Sequence, residues 1–165
     1  MRGAARRIGA MTYTYKTLAG ADVHLLHQLL DVFALAFDDR EAYQNAVPGD
    51  AYLHALLDKP HVIALVALDG DQVVGGLVAY ELEKFEQDRR ELYIYDLAVH
   101  EAHRRRGVAT ALITELQRFA SVRRAYVVYV QADRGDAPAI ALYESLGVRE
   151  DVYHFDIPVP DPAGR

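Results

Sequence analysis

The chain has 165 residues, 52% of them hydrophobic and 25% charged, the size and balance of one domain with enough apolar surface to offset the entropy lost on folding. Its 18 Lys+Arg against 24 Asp+Glu leave a net charge of −6, a field that repels nucleic acid and anionic lipid and favours cationic ligands. Cysteine is absent, which excludes disulfides, thiolate zinc sites and covalent catalysis through a protein thiol.

Residues 1–10 carry Arg2, Arg6 and Arg7 but no apolar run of secretory-signal length. They are expected to form a basic, flexible extension ahead of a single domain over 11–165, in a cytoplasmic protein. A short strand is expected near Tyr13 to Leu18. Leu26, Leu29, Leu30, Phe33 and Phe37 then recur at steps of three and four, one apolar face of a helix opening near Asp22. A shorter helix near Ala51 to Leu57 is closed by Pro60. Val62 to Leu68, the longest purely apolar run, falls well short of the roughly 20 residues that cross a bilayer. With Asp69-Gly70-Asp71 and a second run from Val73 to Tyr80, it predicts a hairpin. A strand from Leu92 to Val99, a helix from Val108 to Phe119, a strand from Tyr126 to Gln131, a helix from Pro138 to Leu146 and a closing strand from Val152 to Ile157 complete the reading. This order is that of a mixed α/β sheet with crossover helices.

One segment points to chemistry. Arg104-Arg105-Arg106-Gly107-Val108-Ala109-Thr110-Ala111 lies between the Leu92 to Val99 strand and its helix. The first turn of a helix offers unpaired N–H groups and partial positive charge, small residues let an anion approach that backbone, and three arginines add charge. The arrangement makes a pyrophosphate cradle, although a charge run at a helix start is as often only solvated. Neither a P-loop nor a Gly-x-Gly-x-x-Gly fingerprint occurs. His100-Glu101-Ala102-His103 is one residue short of the zinc motif His-Glu-x-x-His, and no metal is expected.

Arg104-x-x-Gly107-x-Ala109 after a strand resembles the acetyl-coenzyme A signature of the GNAT superfamily of N-acetyltransferases, and Ala141-Leu142-Tyr143-Glu144-Ser145-Leu146-Gly147-Val148 resembles its second signature. The strings Lys84-Phe85-Glu86-Gln87, Tyr93-Ile94-Tyr95-Asp96-Leu97-Ala98-Val99, Val130-Gln131-Ala132-Asp133 and His154-Phe155-Asp156-Ile157 are similar to the type I aminoglycoside 3-N-acetyltransferases, the gentamicin acetyltransferases. That likeness runs from Tyr13 to Ile157 and is loosest between Val23 and Ala46. Asp136 stands where many wider superfamily members have asparagine, as it does in the type I enzymes.

The resemblance implies the GNAT fold, a mixed and mostly antiparallel sheet with a splayed central strand and flanking helices. It also implies acetyl-coenzyme A held by Leu97, Ala98 and Val99, by Arg104 through Thr110, and by Asp136 and Ala139. The implied reaction is direct acetyl transfer, in a ternary complex, to the 3-amino group of a deoxystreptamine aminoglycoside, which gives antibiotic resistance. An attacking amine near the lysine reference pKa of about 10.4 is largely protonated at neutral pH, so a base is needed. Asp96 is the candidate, with backbone N–H groups around Leu97 to Val99 for the oxyanion and Tyr143 as acid toward the departing thiolate. The acidic residues Asp38, Asp39, Glu41, Glu83, Glu86, Asp133 and Asp156 could meet a polycation, with Glu83, Asp133 and Asp156 favoured. A homodimer is expected, joined through the final strand near His154 to Ile157, whose edge needs a partner. Two other readings keep the same cradle: acetylation of a polyamine, small metabolite amine or protein N-terminus, and a non-catalytic acyl-coenzyme A sensor.

Overall fold

In the computed structural model, which describes residues 5–8 and 11–160, each strand lies beside its neighbour in sequence, giving one six-stranded sheet. The strands are β1 (Ala5–Ile8), β2 (Met11–Thr17), β3 (Val62–Asp69), β4 (Gln72–Glu83), β5 (Arg90–Val99) and β6 (Ala125–Val130). Pairings from β1 through β5 are antiparallel. β5 and β6 run parallel, which the intervening crossover helix α3 (Val108–Val122) makes possible. Helices α1 (Val23–Ala36) and α2 (Asp50–Leu57) separate β2 from β3, and α4 (Ala137–Glu144) follows β6. The expected hairpin is β3 and β4, turning at Gly70-Asp71.

Two apolar layers sandwich the sheet. On one face, Leu25, Leu26, Leu29, Val32 and Phe33 of α1 pack on Ala64 and Val66 of β3, Val73 of β4 and Ala98 of β5. Each fully buried leucine or phenylalanine contributes about 1.5–3 kcal/mol. Gly76 sets the closeness of this packing, because a Cβ there would fall 2.5 Å from the Leu65 carbonyl oxygen and 2.6 Å from Leu29 Cδ1. On the other face, α3 buries Val108, Leu112 and Leu116. Glu81 of β4, buried on that face, accepts from Arg123 at the end of α3 through both carboxylate oxygens, with Arg90 Nε of β5 at 2.9 Å. This ion cluster ties β4, β5 and α3 together at one end of the sheet.

The chain divides into two compact units, one through Gln131 and one from Ala132. In the second, Pro138 lies in the first turn of α4 and the Asp136 carboxylate caps it by accepting the Ala139 N–H at 3.1 Å. The closing strand expected at Val152 to Ile157 does not form; residues 151–160 carry no regular structure and are exposed. Alternation alone does not make a strand, because each needs a partner's backbone, and this unit contains no other strand among its described residues. The extension expected over residues 1–10 lies partly outside the described residues; within it, Ala5–Ile8 pairs with β2. Among the described residues, no helix is long and apolar enough to cross a membrane.

Candidate active site

A single extra residue in β5 builds the site. Val78 of β4 faces Asp96 and the next residue, Ala79, faces Ile94, so Tyr95 is a β-bulge. Strand side chains alternate between faces, and a bulge reverses their phase. Before it, Leu92 lies opposite Glu81, on the face where Glu81 meets Arg123, and Ile94 shares that face. Beyond it, Asp96 pairs with Val78, which packs against the α1 layer that includes Ala98. The bulge thus carries Asp96 from the α3 face, where strict alternation would put it, to the α1 face.

There Asp96 has a partner that the sequence reading missed. Tyr43 Oη donates to Asp96 Oδ1 at 2.9 Å, across 53 residues of chain. Tyr43 sits on a short π-helical turn, Glu41–Asn45, beyond the C-terminus of α1. Asp39 starts that turn by accepting the Ala42 N–H at 3.0 Å, and Asp38 enters it with φ of 52°. The Tyr43 ring is held edge-on to Phe33 at 5.7 Å and tilted against Phe37 at 5.6 Å. Burial pushes the Asp96 carboxyl above the usual carboxylate range, and the Tyr43 hydrogen bond works against that rise. Burial and the neighbouring Asp96 charge push the Tyr43 phenol up in turn. A carboxylate raised in this way and held by a neutral donor is a stronger base than a solvated one.

Beside Asp96 the sheet opens. β5 pairs with β4 as far as Val99 but with β6 only as far as Ile94. Among the described residues, no strand covers the β6 side of Tyr95–Val99, which is the splay expected of this strand. Arg104 returns to the opening, where its Nε donates to the Val99 carbonyl at 2.9 Å, so part of its hydrogen-bonding capacity serves the strand end. The chain then turns into α3 through Arg105 with φ of 60° and Gly107 with φ of 76°. Gly107 is the N-cap of α3 and has no side chain to satisfy the first-turn N–H groups of Val108, Ala109 and Thr110. These donors, with Arg105 and Arg106 beside them, fit a diphosphate in charge and hydrogen-bond chemistry.

In the second unit, Tyr143 lies on α4. Burial and the Asp136 charge push its phenol up to about 12, so it stays protonated through the physiological range. Asp136 and Ala139 are engaged with each other in the α4 cap. Among the favoured acids, Asp133 is exposed and its carbonyl accepts the Asp136 N–H at 3.0 Å. Asp156 is 3.0 Å from His154 Nε2, and Glu83 accepts from Arg90 at 3.0 Å. Glu83 is five residues along β4 from Val78, about 17 Å by strand rise, so the structure does not bring it to Asp96. Glu86 is bound by Arg89 at 3.2 Å.

A model of the acetyltransferase (GNAT) family matches residues 26–148, which include the bulged strand, the α3 N-terminus and α4. The chain belongs to that family. Among proteins of known structure it is similar to an aminoglycoside acetyltransferase from an uncultured soil metagenomic sample, 54% identical to this chain with a TM-score of 0.89, the likeness covering 90% of this chain and 99% of that one. A second aminoglycoside acetyltransferase from such a sample, solved in complex with sisomicin, is 31% identical with a TM-score of 0.83, over 89% and 96% of the two chains. Among curated relatives, N-acetyltransferase 8B of Rattus norvegicus is 30% identical over 90 residues, 54% of this chain and 40% of the rat protein. The chain thus matches about two-fifths of that relative's length.

Two features lay beyond the sequence reading, and only one left a trace there. With Leu92 and Ile94 as the buried phase, strict alternation would bury Asp96 beside them, and an unpartnered carboxylate in a buried phase is the mark of a bulge. Tyr43 left none, since nothing in its own neighbourhood indicates a contact 53 residues away.

Proposed function

We propose that the protein transfers the acetyl group of acetyl-coenzyme A to the 3-amino group of a deoxystreptamine aminoglycoside of the gentamicin type, in a ternary complex, and so confers resistance to such antibiotics on a cell that makes it in its cytoplasm. The observation that carries this reading is Asp96, a partly buried carboxylate brought by a bulge to an open strand edge and held there by Tyr43. The likeness to the two aminoglycoside acetyltransferases directs the choice of acceptor.

When bound, acetyl-coenzyme A supplies an activated acetyl thioester. Arg105, Arg106 and the N–H groups of Val108, Ala109 and Thr110 would hold its diphosphate, and the open edge from Leu97 to Val99 would receive the pantetheine arm. Backbone N–H groups of that edge would be the donors toward negative charge on the acetyl oxygen; one such donor is worth about 10²–10³ in rate. Asp96 takes the proton of the acceptor ammonium, directly or through a water, and frees the lone pair that attacks. Tyr143, protonated through the physiological range, would be the hydrogen-bond donor toward the thioester sulfur. Full transfer from a phenol near 12 to a thiolate, whose ordinary thiol pKa is about 8.5, is uphill, so the hydrogen bond itself is its main contribution. The acidic chain, with Asp38, Asp39 and Glu41 around the Tyr43 turn, attracts a polycation.

The acetylated nitrogen is the decisive measurement. Thiol release from acetyl-coenzyme A is followed with gentamicin, spermidine or a lysine peptide, and the product is placed by NMR. Saturable turnover with gentamicin and acetylation at the 3-amino group are expected. Turnover confined to spermidine or peptide would move the protein to the polyamine or N-terminal acetyltransferases, and cofactor binding without turnover would make it a sensor.

The same reading includes a homodimer. Tyr153, Phe155, Ile157 and Val159 are all more than three-quarters exposed on one irregular segment, and a second copy is proposed to cover them. Sedimentation of 18.5 kDa particles alone would reject that assembly.

A further inference from the structure

The face on which Asp96 emerges carries four tyrosines in unbroken ring contact. Tyr80 of β4 lies opposite Tyr93 of β5, and Tyr93 lies opposite Tyr129 of β6. Cross-strand partners share a face, so all three stand on the face of Val78 and Asp96. The bulged residue Tyr95 joins them, its ring edge-on to Tyr80 at 5.9 Å and to Tyr93 at 5.8 Å. Tyr93 and Tyr129 stack at 4.9 Å with their planes 13° apart, and Tyr93 Oη donates to Gln131 at 2.8 Å.

Sheet packing accounts for three of the four. Aromatic pairs directly opposite one another stabilise a sheet by about 0.2–1 kcal/mol each, and Tyr80, Tyr93 and Tyr129 form such pairs. Tyr95 does not, since as the bulge it faces no residue on β4, and it is left 62% exposed. A large ring held in solvent beside a half-buried carboxylate calls for another explanation. The rings present negative π faces and phenol oxygens, and the Asp96 charge reaches both Tyr80 and Tyr93. Such a surface attracts cations.

We propose that Tyr80, Tyr95, Tyr93 and Tyr129 form the floor of the acceptor subsite, on which a hydroxyl-rich ring bearing ammonium groups lies, with Asp96 at the edge where the reacting amine must arrive. Tyr95 is its central contact and determines affinity for the cationic acceptor. The inference rests on the acceptor class proposed above and adds the residues that recognise it.

The test is calorimetric binding of gentamicin to the full chain, with turnover measured in parallel on the same preparations. Tyr95→Leu, at an exposed position, is expected to weaken gentamicin binding about tenfold and leave the KM for acetyl-coenzyme A unchanged. Tyr95→Phe, which keeps the π face, is expected to bind within about threefold of the parent. Undiminished binding by Tyr95→Leu overturns the floor and leaves acetyl transfer standing. So does a change confined to sedimentation, which would mark the row as a contact between copies. Binding that depends on Tyr95 without turnover of gentamicin upholds the floor and overturns the catalytic reading. Failure of the parent protein to bind gentamicin overturns both.

Discussion

Tyr43 and Asp96 meet through one hydrogen bond of 2.9 Å, and that bond opposes the effect of burial on the candidate base. Burial raises the Asp96 pKa and the Tyr43 bond lowers it, because the phenol stabilises the charged form. Tyr43→Phe removes only the lowering contribution, so the Asp96 pKa rises further. The base is active when deprotonated; the acidic limb of the kcat/KM profile is therefore expected to move to higher pH, with the largest loss below neutrality and recovery as pH rises. A profile that falls uniformly at all pH values would show that Tyr43 only supports the fold.

Asp96→Asn removes the base and keeps an oxygen to accept from Tyr43. Turnover with the aminoglycoside is expected to fall about 10²–10⁴-fold, with the KM for acetyl-coenzyme A little changed. Stability should move the other way. A carboxyl whose folded pKa is raised favours folding below its unfolded pKa and loses that contribution as pH climbs through the folded value. At pH 7 the ionised Asp96 therefore costs stability, and the neutral amide is expected to raise Tm there and to leave it little changed near pH 3. A lower Tm at pH 7 would contradict the burial argument.

Arg123→Ala leaves the buried Glu81 carboxylate with Arg90 as its remaining ion-pair partner. Hydrogen bonds to charged groups contribute about 1.5–3 kcal/mol, so a loss of that order is expected in urea unfolding, with an unchanged slope. This cluster lies at the Arg90 end of β5, away from Asp96, and kcat is expected to remain within about twofold. A large loss of kcat in a folded variant would mean that the two ends of β5 are mechanically coupled.

Gly76→Val places a branched side chain where a single Cβ already meets the Leu65 carbonyl and Leu29. Overpacking typically costs about 1–3 kcal/mol, and here backbone must move as well as a side chain. The expected result is a destabilised protein whose Tm falls by several degrees. Stability equal to that of the parent would show that α1 can slide on β4.

Much of this architecture was open to inspection in the linear chain, for local reasons. The α1 periodicity, the Asp-Gly turn and the Gly107 helix start are all written within a few neighbouring residues, and each element formed within a few residues of its expected bounds. What escaped depended on distant partners. Val152 to Ile157 alternates like a strand but finds no strand partner among the described residues of its unit. The Tyr43 contact closes a loop of 53 residues, and the segment that carries it is where the family likeness is loosest. The site divides the same way: the chemistry-bearing residue types of Asp96 and the arginine run are visible in the sequence, whereas the face on which Asp96 emerges is decided by a pairing irregularity with β4.

The bulge at Tyr95 makes reactivity a question of parity. A deletion of that one residue would leave net charge and every motif downstream unchanged, yet it would restore even spacing and turn Asp96 inward toward the helix that buries Leu112 and Leu116. The strand tolerates many replacements of side chains more readily than a change of one in its count, so insertions and deletions here should be far more damaging than the neighbouring turns would suggest.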